Sequence, residues 1–492
     1  MKILYVFSIY LPLTGGCQDP IDQAVPYMMS QGHEIHVLTK RWPQDLPDTE
    51  SINGAIVHRV DSAILPGELE QMAHDVKKIV QEVQPDAIHV IGLRRPLPFF
   101  ALLAARWLGV PVVMTVGGWD IPDPSDPEPG KVWTSGKHLI RNAMLQADQV
   151  NAASKDLTRL VRLEFPELDD IPVMRVGIDT QLFEGASPTF WPRRYVLSLR
   201  RLEASKQVDH VIRAFAEPAV RNLDVDLLVA GDGQQAGMLR HLVQDLGLKR
   251  RVHFLGEVDI HQAASLMKGA ALTTVVSRAE GGGLVNIEAQ AAGTPILATR
   301  VGGITEYVGG DQGAHFIENT NPSLLAQEIR RCLTDSVLRT SLINYGYQHA
   351  KDFETRYLVE GYIKVYRSLI STARNRAFEP WSKLTANLWN IFYNTDKVPL
   401  LPKQNAPIAQ PSDLDGLGAP ANRWWYTRAE IFDQKEWSKS ESHALRQLRD
   451  KYGDEVVRGL LGEAAEWGRT DASALFLYAE SAREEFASRE IQ

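Results

Sequence analysis

The sequence predicts an α/β protein built from two doubly wound, Rossmann-like parallel sheets facing a cleft, with a helical extension after them. Three observations carry this. Short apolar runs alternate with amphipathic helical patterns from the first residue. That series fades at EGASPTFWPRR, residues 184–194, and a second series of the same kind begins beyond it. Several of the strands also run into glycine turns, at Gly15–Gly16, Gly117–Gly118, Gly231, Gly281–Gly283 and Gly302–Gly303.

In the first series the strands read KILYVFSIY, EIHVLT, AIHVIG, VPVVMTV and QVNAAS. Each is short and apolar, as a strand covered on both faces requires. Helical patterns lie between them, among them residues 66–83 and 98–109. The second series reads YVLSLRR, VDLLVAGDG, RVHFLGEV, ALTTVVS, PILATRVGG and AHFIE. FETRYLVEGYIKVYRSLISTA, residues 353–373, follows as a long amphipathic helix. The expected units are a first domain over 1–186, a second over 187–352, this helix over 353–375, and a mainly helical extension over 376–492. The extension holds six of the eleven tryptophans, and its stretch 395–423 carries five prolines and little periodicity, as an extended connection does. Two readings of it stand: an appendage docked through its tryptophans, or an acceptor or partner module using Trp424, Trp425 and Tyr426.

Composition narrows the function. A chain of 492 residues is too long for one ordinary core. Its net charge is −8, and residues 1–186 carry the whole imbalance, with 16 Lys and Arg against 24 Asp and Glu. Nucleic acid needs a basic face and is disfavoured as a partner. Peripheral membrane contact is not indicated by charge either. No apolar run approaches the length of a membrane span. The opening MKILYVFSIYLP lacks a small-residue cleavage site and suits a buried strand. Two cysteines far apart, Cys17 and Cys332, give neither a disulfide framework nor a metal cluster. The expectation is a cytoplasmic protein with no cofactor and no metal.

The chemistry concentrates at SRAEGGGLVNIEAQAAGTP, residues 277–295. Three glycines are a costly way to open a helix. At the N-terminus of a helix, however, unpaired amides favour an anion, and glycine keeps side chains out of its way. Glu280 lies in the loop and Glu288 about a turn and a half into the helix, about 12 Å apart by helical rise. Carboxylates so placed suit two parts of one elongated ligand better than a shared acid–base step. Arg201 and Lys206 follow a strand directly and could neutralise a diphosphate. Taken singly, each of these is as well read as an ordinary turn or a solvated surface charge.

Together the motifs resemble family 4 of the retaining, GT-B-fold glycosyltransferases. They are Glu280–x7–Glu288, R-L-x-x-x-K from Arg201 to Lys206, G-D-G at 231–233, FLG at 254–256, GTP at 293–295 and VGG at 301–303. The resemblance covers about residues 1–373 and is strongest over 195–308. It implies an acceptor-side first domain, a second domain that binds a nucleotide-diphosphate sugar, and a crossover helix at 353–375. By the same resemblance Arg201 and Lys206 hold the diphosphate and Glu280 the sugar hydroxyls. The amides of Gly282, Gly283 and Leu284 lie at the sugar and diphosphate, with Gly231 among the binding residues. Glu288 takes the ribose, and Gly15–Gly16 lie beside the phosphates and the acceptor. The catalytic positions are then Glu280, Arg201 and Lys206. The implied acceptor is a saccharide, a lipid-linked group or a small molecule.

Three positions depart from the family pattern. Gly117 stands where the family has a histidine facing the donor sugar, and Asp120 and Trp119 are the nearby residues that would compensate. Arg200 replaces the glycine before the phosphate arginine. Gly282 replaces a larger residue, which predicts a roomier sugar pocket. A donor-binding scaffold on the same fold and a nucleotide-sugar epimerase are the alternative functions.

Overall fold

The computed structural model describes residues 1–12, 19–41, 45–61, 66–92, 96–118, 120–121, 140–168 and 170–373. Gly15, Gly16, Trp119 and the extension over 376–492 lie outside the described residues.

Two parallel sheets form the body. The first contains β1 (Lys2–Phe7), β2 (Glu34–Lys40), β3 (Thr49–Ile52), β4 (Ala55–Val60), β5 (Ala87–Ile91), β6 (Val112–Val116) and β7 (Gln149–Ala152), in the order β3-β4-β2-β1-β5-β6-β7. The second contains β8 (Arg194–Leu199), β9 (Val225–Ala230), β10 (Val252–Gly256), β11 (Leu272–Val275), β12 (Ile296–Thr299) and β13 (His315–Ile317), in the order β10-β9-β8-β11-β12-β13. All pairings are parallel except β3 with β4. In both sheets the order reverses beside the first strand, so the strand C-termini splay there and leave room for a ligand.

The hairpin β3–β4 is the element the strand pattern alone passes over. TESI has weak alternation and is half exposed. The local signal is Asn53–Gly54, whose φ values of +50° and +91° make the tight turn that joins two antiparallel strands. The hairpin carries the antiparallel edge of the first sheet.

The helix Thr355–Ala373 returns from the second sheet to the first. Leu358, Val359, Tyr362, Ile363 and Tyr366 pack in one core with Ile3, Tyr5, Val37 and Ala87. The reverse exchange happens earlier in the chain. Ile178 and Phe183 fall inside the stretch expected for the first domain, yet they pack in the core of the second sheet with Ile287 and Ala289. The two crossing segments are bonded to each other: Ile178 and Glu354 form a parallel bridge, with Ile178 N–H on Phe353 O at 2.8 Å. Among the described residues no helix is long and apolar enough to cross a membrane.

Candidate active site

Two loops of the second sheet bring the predicted charges together. The first follows β8 and reads Arg200 to Lys206. The second follows β11 and reads Val276 to Gly283. Lys206 Nζ lies 2.8 Å from Glu280 Oε2, and an Arg200 guanidinium nitrogen lies 3.4 Å from the same oxygen. The side chains of Glu280, Lys206 and Arg200 are 17%, 14% and 6% exposed, so water screens these charges weakly. Burial works against the charge on Glu280, but Lys206 and Arg200 outweigh it and hold the carboxyl below the usual carboxylate range. Burial pulls Arg200 below the usual guanidinium value, with Glu280 and Glu203 pulling back.

Arg201 is placed differently from Lys206. Its side chain is 56% exposed and pairs with Glu203 at 3.3 Å. It sits at the rim of the cluster, close enough for its charge to lower the Glu280 carboxyl further. The residue that reaches Glu280 from this strand end is instead Arg200. The sequence marked it only as an unusual replacement for glycine. Gly231 lies under the same loop, where a Cβ would stand 2.1 Å from the Arg200 carbonyl oxygen.

Each of the three glycines has its own reason. Gly281 touches the first domain: a Cβ there would lie 2.8 Å from Gly118 Cα. Gly282 lies under Tyr307, and a Cβ there would lie 2.9 Å from the ring. The space on the Cβ side of Gly282 is therefore taken by the Tyr307 ring. Gly283 caps the helix Leu284–Ala292 with φ +91°, a conformation that favours glycine. The first-turn amides of this helix have no carbonyl four residues back, and the helix dipole adds positive potential there. Glu288 is half-buried further along the same helix. Behind the loop, Gly303 N–H donates to Glu280 O at 2.8 Å, which ties the VGG turn to it.

Gly117 and Asp120 close a turn at the end of β6. Gly117 N–H donates to Asp120 Oδ2 at 2.7 Å, and Asp120 N–H donates to Gly117 O at 3.1 Å. Asp120 is buried. Its carboxylate thus holds the turn that carries Gly117.

Contacts from the first domain reach the same loop. Ser154 Oγ donates to Gly281 O at 2.6 Å while also capping the helix Lys155–Glu164 through Leu157 N–H. Glu306 accepts from Lys155 N–H at 2.7 Å and pairs with Arg175 at 3.0 Å. Tyr307 Oη donates to Ala153 O at 2.9 Å. The serine before a helix is a legible cap in the sequence, but its second bond, 127 positions away, is not. A cavity of ≈ 490 Å³ bordered by Leu255, Glu257 and His261 shares no residue with this cluster. Among the described residues no group of three His, Cys, Asp or Glu gathers as a metal site would need.

The comparisons with known proteins fall on this architecture. Residues 15–182 match the family profile "Glycosyltransferase Family 4" and residues 185–349 match "Glycosyl transferases group 1". The chain belongs to the family 4, group 1 glycosyltransferases. This glycosyltransferase is 27% identical over 406 residues to a D-inositol 3-phosphate glycosyltransferase of Acidothermus cellulolyticus, covering 74% of this chain and 88% of the relative. It is 26% identical to an N-acetyl-alpha-D-glucosaminyl L-malate synthase of Bacillus anthracis, covering 76% and 99%. Among solved structures, sucrose-phosphate synthase of Thermosynechococcus elongatus superposes with a TM-score of 0.64 at 19% identity, over 75% of this chain and 99% of that one. Anabaena HepE, solved with UDP-glucose, superposes with a TM-score of 0.60 at 22% identity, over 75% and 100%. The fold of this glycosyltransferase is therefore GT-B, with the charged cluster on the second domain facing the first.

Proposed function

We propose that the chain transfers a sugar from a nucleotide-diphosphate sugar to an acceptor with retention of anomeric configuration. One observation carries the reading: Lys206 and Arg200 converge on Glu280 Oε2 beside the turn that opens the helix Leu284–Ala292. A dianionic diphosphate suits this place, since two cations face one carboxylate and helix amides add to them. Lys206, with Arg201 at the rim, takes the phosphate oxygens. Glu280, an acceptor only, takes sugar hydroxyls, and Glu288 takes the ribose.

In the transfer, the bond from the anomeric carbon to the phosphate oxygen breaks and the acceptor oxygen bonds on the same face. The acceptor proton passes to the departing phosphate. Negative charge builds on that phosphate, and groups fixed around it before the reaction stabilise the change. The reading needs no metal. The acceptor is a saccharide, a lipid-linked group or a small molecule. Support for a sugar donor comes from the HepE structure, whose bound ligand is UDP-glucose.

A thermal-shift screen with UDP-, GDP- and ADP-sugars tests the reading, because a ligand stabilises by the logarithm of its concentration over its dissociation constant. One donor class is expected to raise Tm, and Lys206→Ala and Glu288→Ala to remove most of the rise. A full rise in both variants refutes the site. NMR of the product from an α-linked donor is expected to show an α-linkage, and a β-linkage refutes retention.

A further inference from the structure

Arg200 is the least exposed of the three charged groups in the cluster, and its guanidinium is divided among several loop segments. One nitrogen donates to Val276 O at 2.6 Å and to Lys206 O at 3.4 Å. The other donates to Ser277 Oγ at 3.0 Å and reaches Glu280 Oε2 at 3.4 Å. One side chain thus clamps the end of β11, the turn before Lys206, and the carboxylate between them. The planar guanidinium suits this task because its donors have fixed directions.

Its charge matters as well. Lys206 and Glu280 alone sum to zero. With Arg200 the cluster is net positive by one charge, while Arg200 itself stays behind the loop. Lys206 commits one of its three donors to Glu280 at 2.8 Å. We infer that Arg200 is a positioning residue for sugar transfer: it holds Glu280 in place for the donor sugar and offsets the Glu280 charge, so that Lys206 serves the diphosphate. The inference rests on the proposed function and adds a residue to it.

The test uses the full chain, the donor found by the screen, and the matching nucleoside diphosphate. Two variants divide the roles. Arg200→Met removes the charge and the clamp. Arg200→Lys keeps the charge and loses the fork. For Arg200→Met, affinity for the nucleoside diphosphate is expected to fall about tenfold, equivalent to one lost charge-assisted contact. Its kcat should fall by at least a further tenfold. For Arg200→Lys, the diphosphate affinity should return to within about threefold of wild type while kcat stays low.

That split between affinity and kcat is the signature of positioning. If both variants lose affinity and kcat only in proportion to their folded fraction, the role is structural and the inference falls. It also falls if both variants keep kcat and affinity within twofold of an active wild type, and then the transferase reading survives. If wild type binds no nucleoside diphosphate, the proposed function fails and the inference with it. Should Arg200→Met not fold, Arg200→Gln takes its place with the same expectations.

Discussion

The ring of Tyr307 occupies the space that a side chain on residue 282 would fill, 2.9 Å from the Cβ position of Gly282. Tyr307 is fully buried and held at its hydroxyl, which donates to Ala153 O at 2.9 Å and accepts from Val176 N–H at 3.3 Å. It cannot swing aside without breaking both bonds. A glycine in the loop after β11 and a tyrosine from the helix Ile304–Val308 therefore fit as one unit.

Gly282→Leu should overpack this contact and cost about 1–3 kcal/mol. Tyr307→Val should leave a cavity and cost about 2–4 kcal/mol. In the double variant the leucine enters the vacated space, so its loss should be smaller than the sum by at least about 1 kcal/mol. Urea unfolding of the four proteins measures this. Strict additivity would show that the two residues do not share the space.

Ser154 joins the domains at the glycine loop. Its hydroxyl accepts from Leu157 N–H at 3.1 Å and donates to Gly281 O at 2.6 Å. Ser154→Ala removes a helix cap, worth about 1 kcal/mol. It also leaves the Gly281 carbonyl without this donor, for a total near 1–3 kcal/mol. The transfer rate should fall well beyond the loss of folded protein, because the same loop carries Glu280. Ser154→Thr, which keeps the hydroxyl, should recover most of both. Equal rates for alanine and serine at a temperature where both are folded would remove Ser154 from the coupling.

His89 should make the protein acid-sensitive. It is fully buried, with Nδ1 at 2.6 Å from Tyr366 Oη and Nε2 at 2.8 Å from Thr115 Oγ1. Burial pushes its pKa down from 6.5 to about 3. The folded chain therefore refuses a proton that the unfolded chain accepts below about pH 6.5. The stabilising effect of the neutral ring is complete above pH 6.5. It is lost as pH falls, at up to about 1.4 kcal/mol per pH unit, until the folded form also protonates near pH 3. Urea midpoints of wild type and His89→Gln at pH 7.5 and 5.0 measure it. The variant should lose less stability between the two pH values, by roughly 2 kcal/mol. The same loss in both would place the acid sensitivity elsewhere.

Much of this protein is legible along the chain. Apolar runs of strand length, alternating with amphipathic stretches, suffice for two parallel sheets and a long returning helix, because those patterns depend on neighbours in sequence. The Glu280–x7–Glu288 frame is equally local: one residue lies before a helix and the other on it. The β3–β4 hairpin was within reach through Asn53–Gly54, a turn signal of two residues. The Lys206–Glu280 pair was approachable only because strand ends in a doubly wound sheet point to one cleft.

The chain alone could determine the elements and the order of the glycine turns. Only the tertiary structure decided what each glycine faces and which arginine reaches Glu280. It put Gly281 against Gly118, Gly282 under Tyr307, and Arg200 rather than Arg201 on the carboxylate. It also turned Asp120 back onto Gly117. The physical reason is distance along the chain. Arg200 and Glu280 are 80 residues apart and Ser154 and Gly281 are 127 apart. Such contacts depend on which strand ends lie side by side and on how the two domains close. No local pattern of residues encodes either.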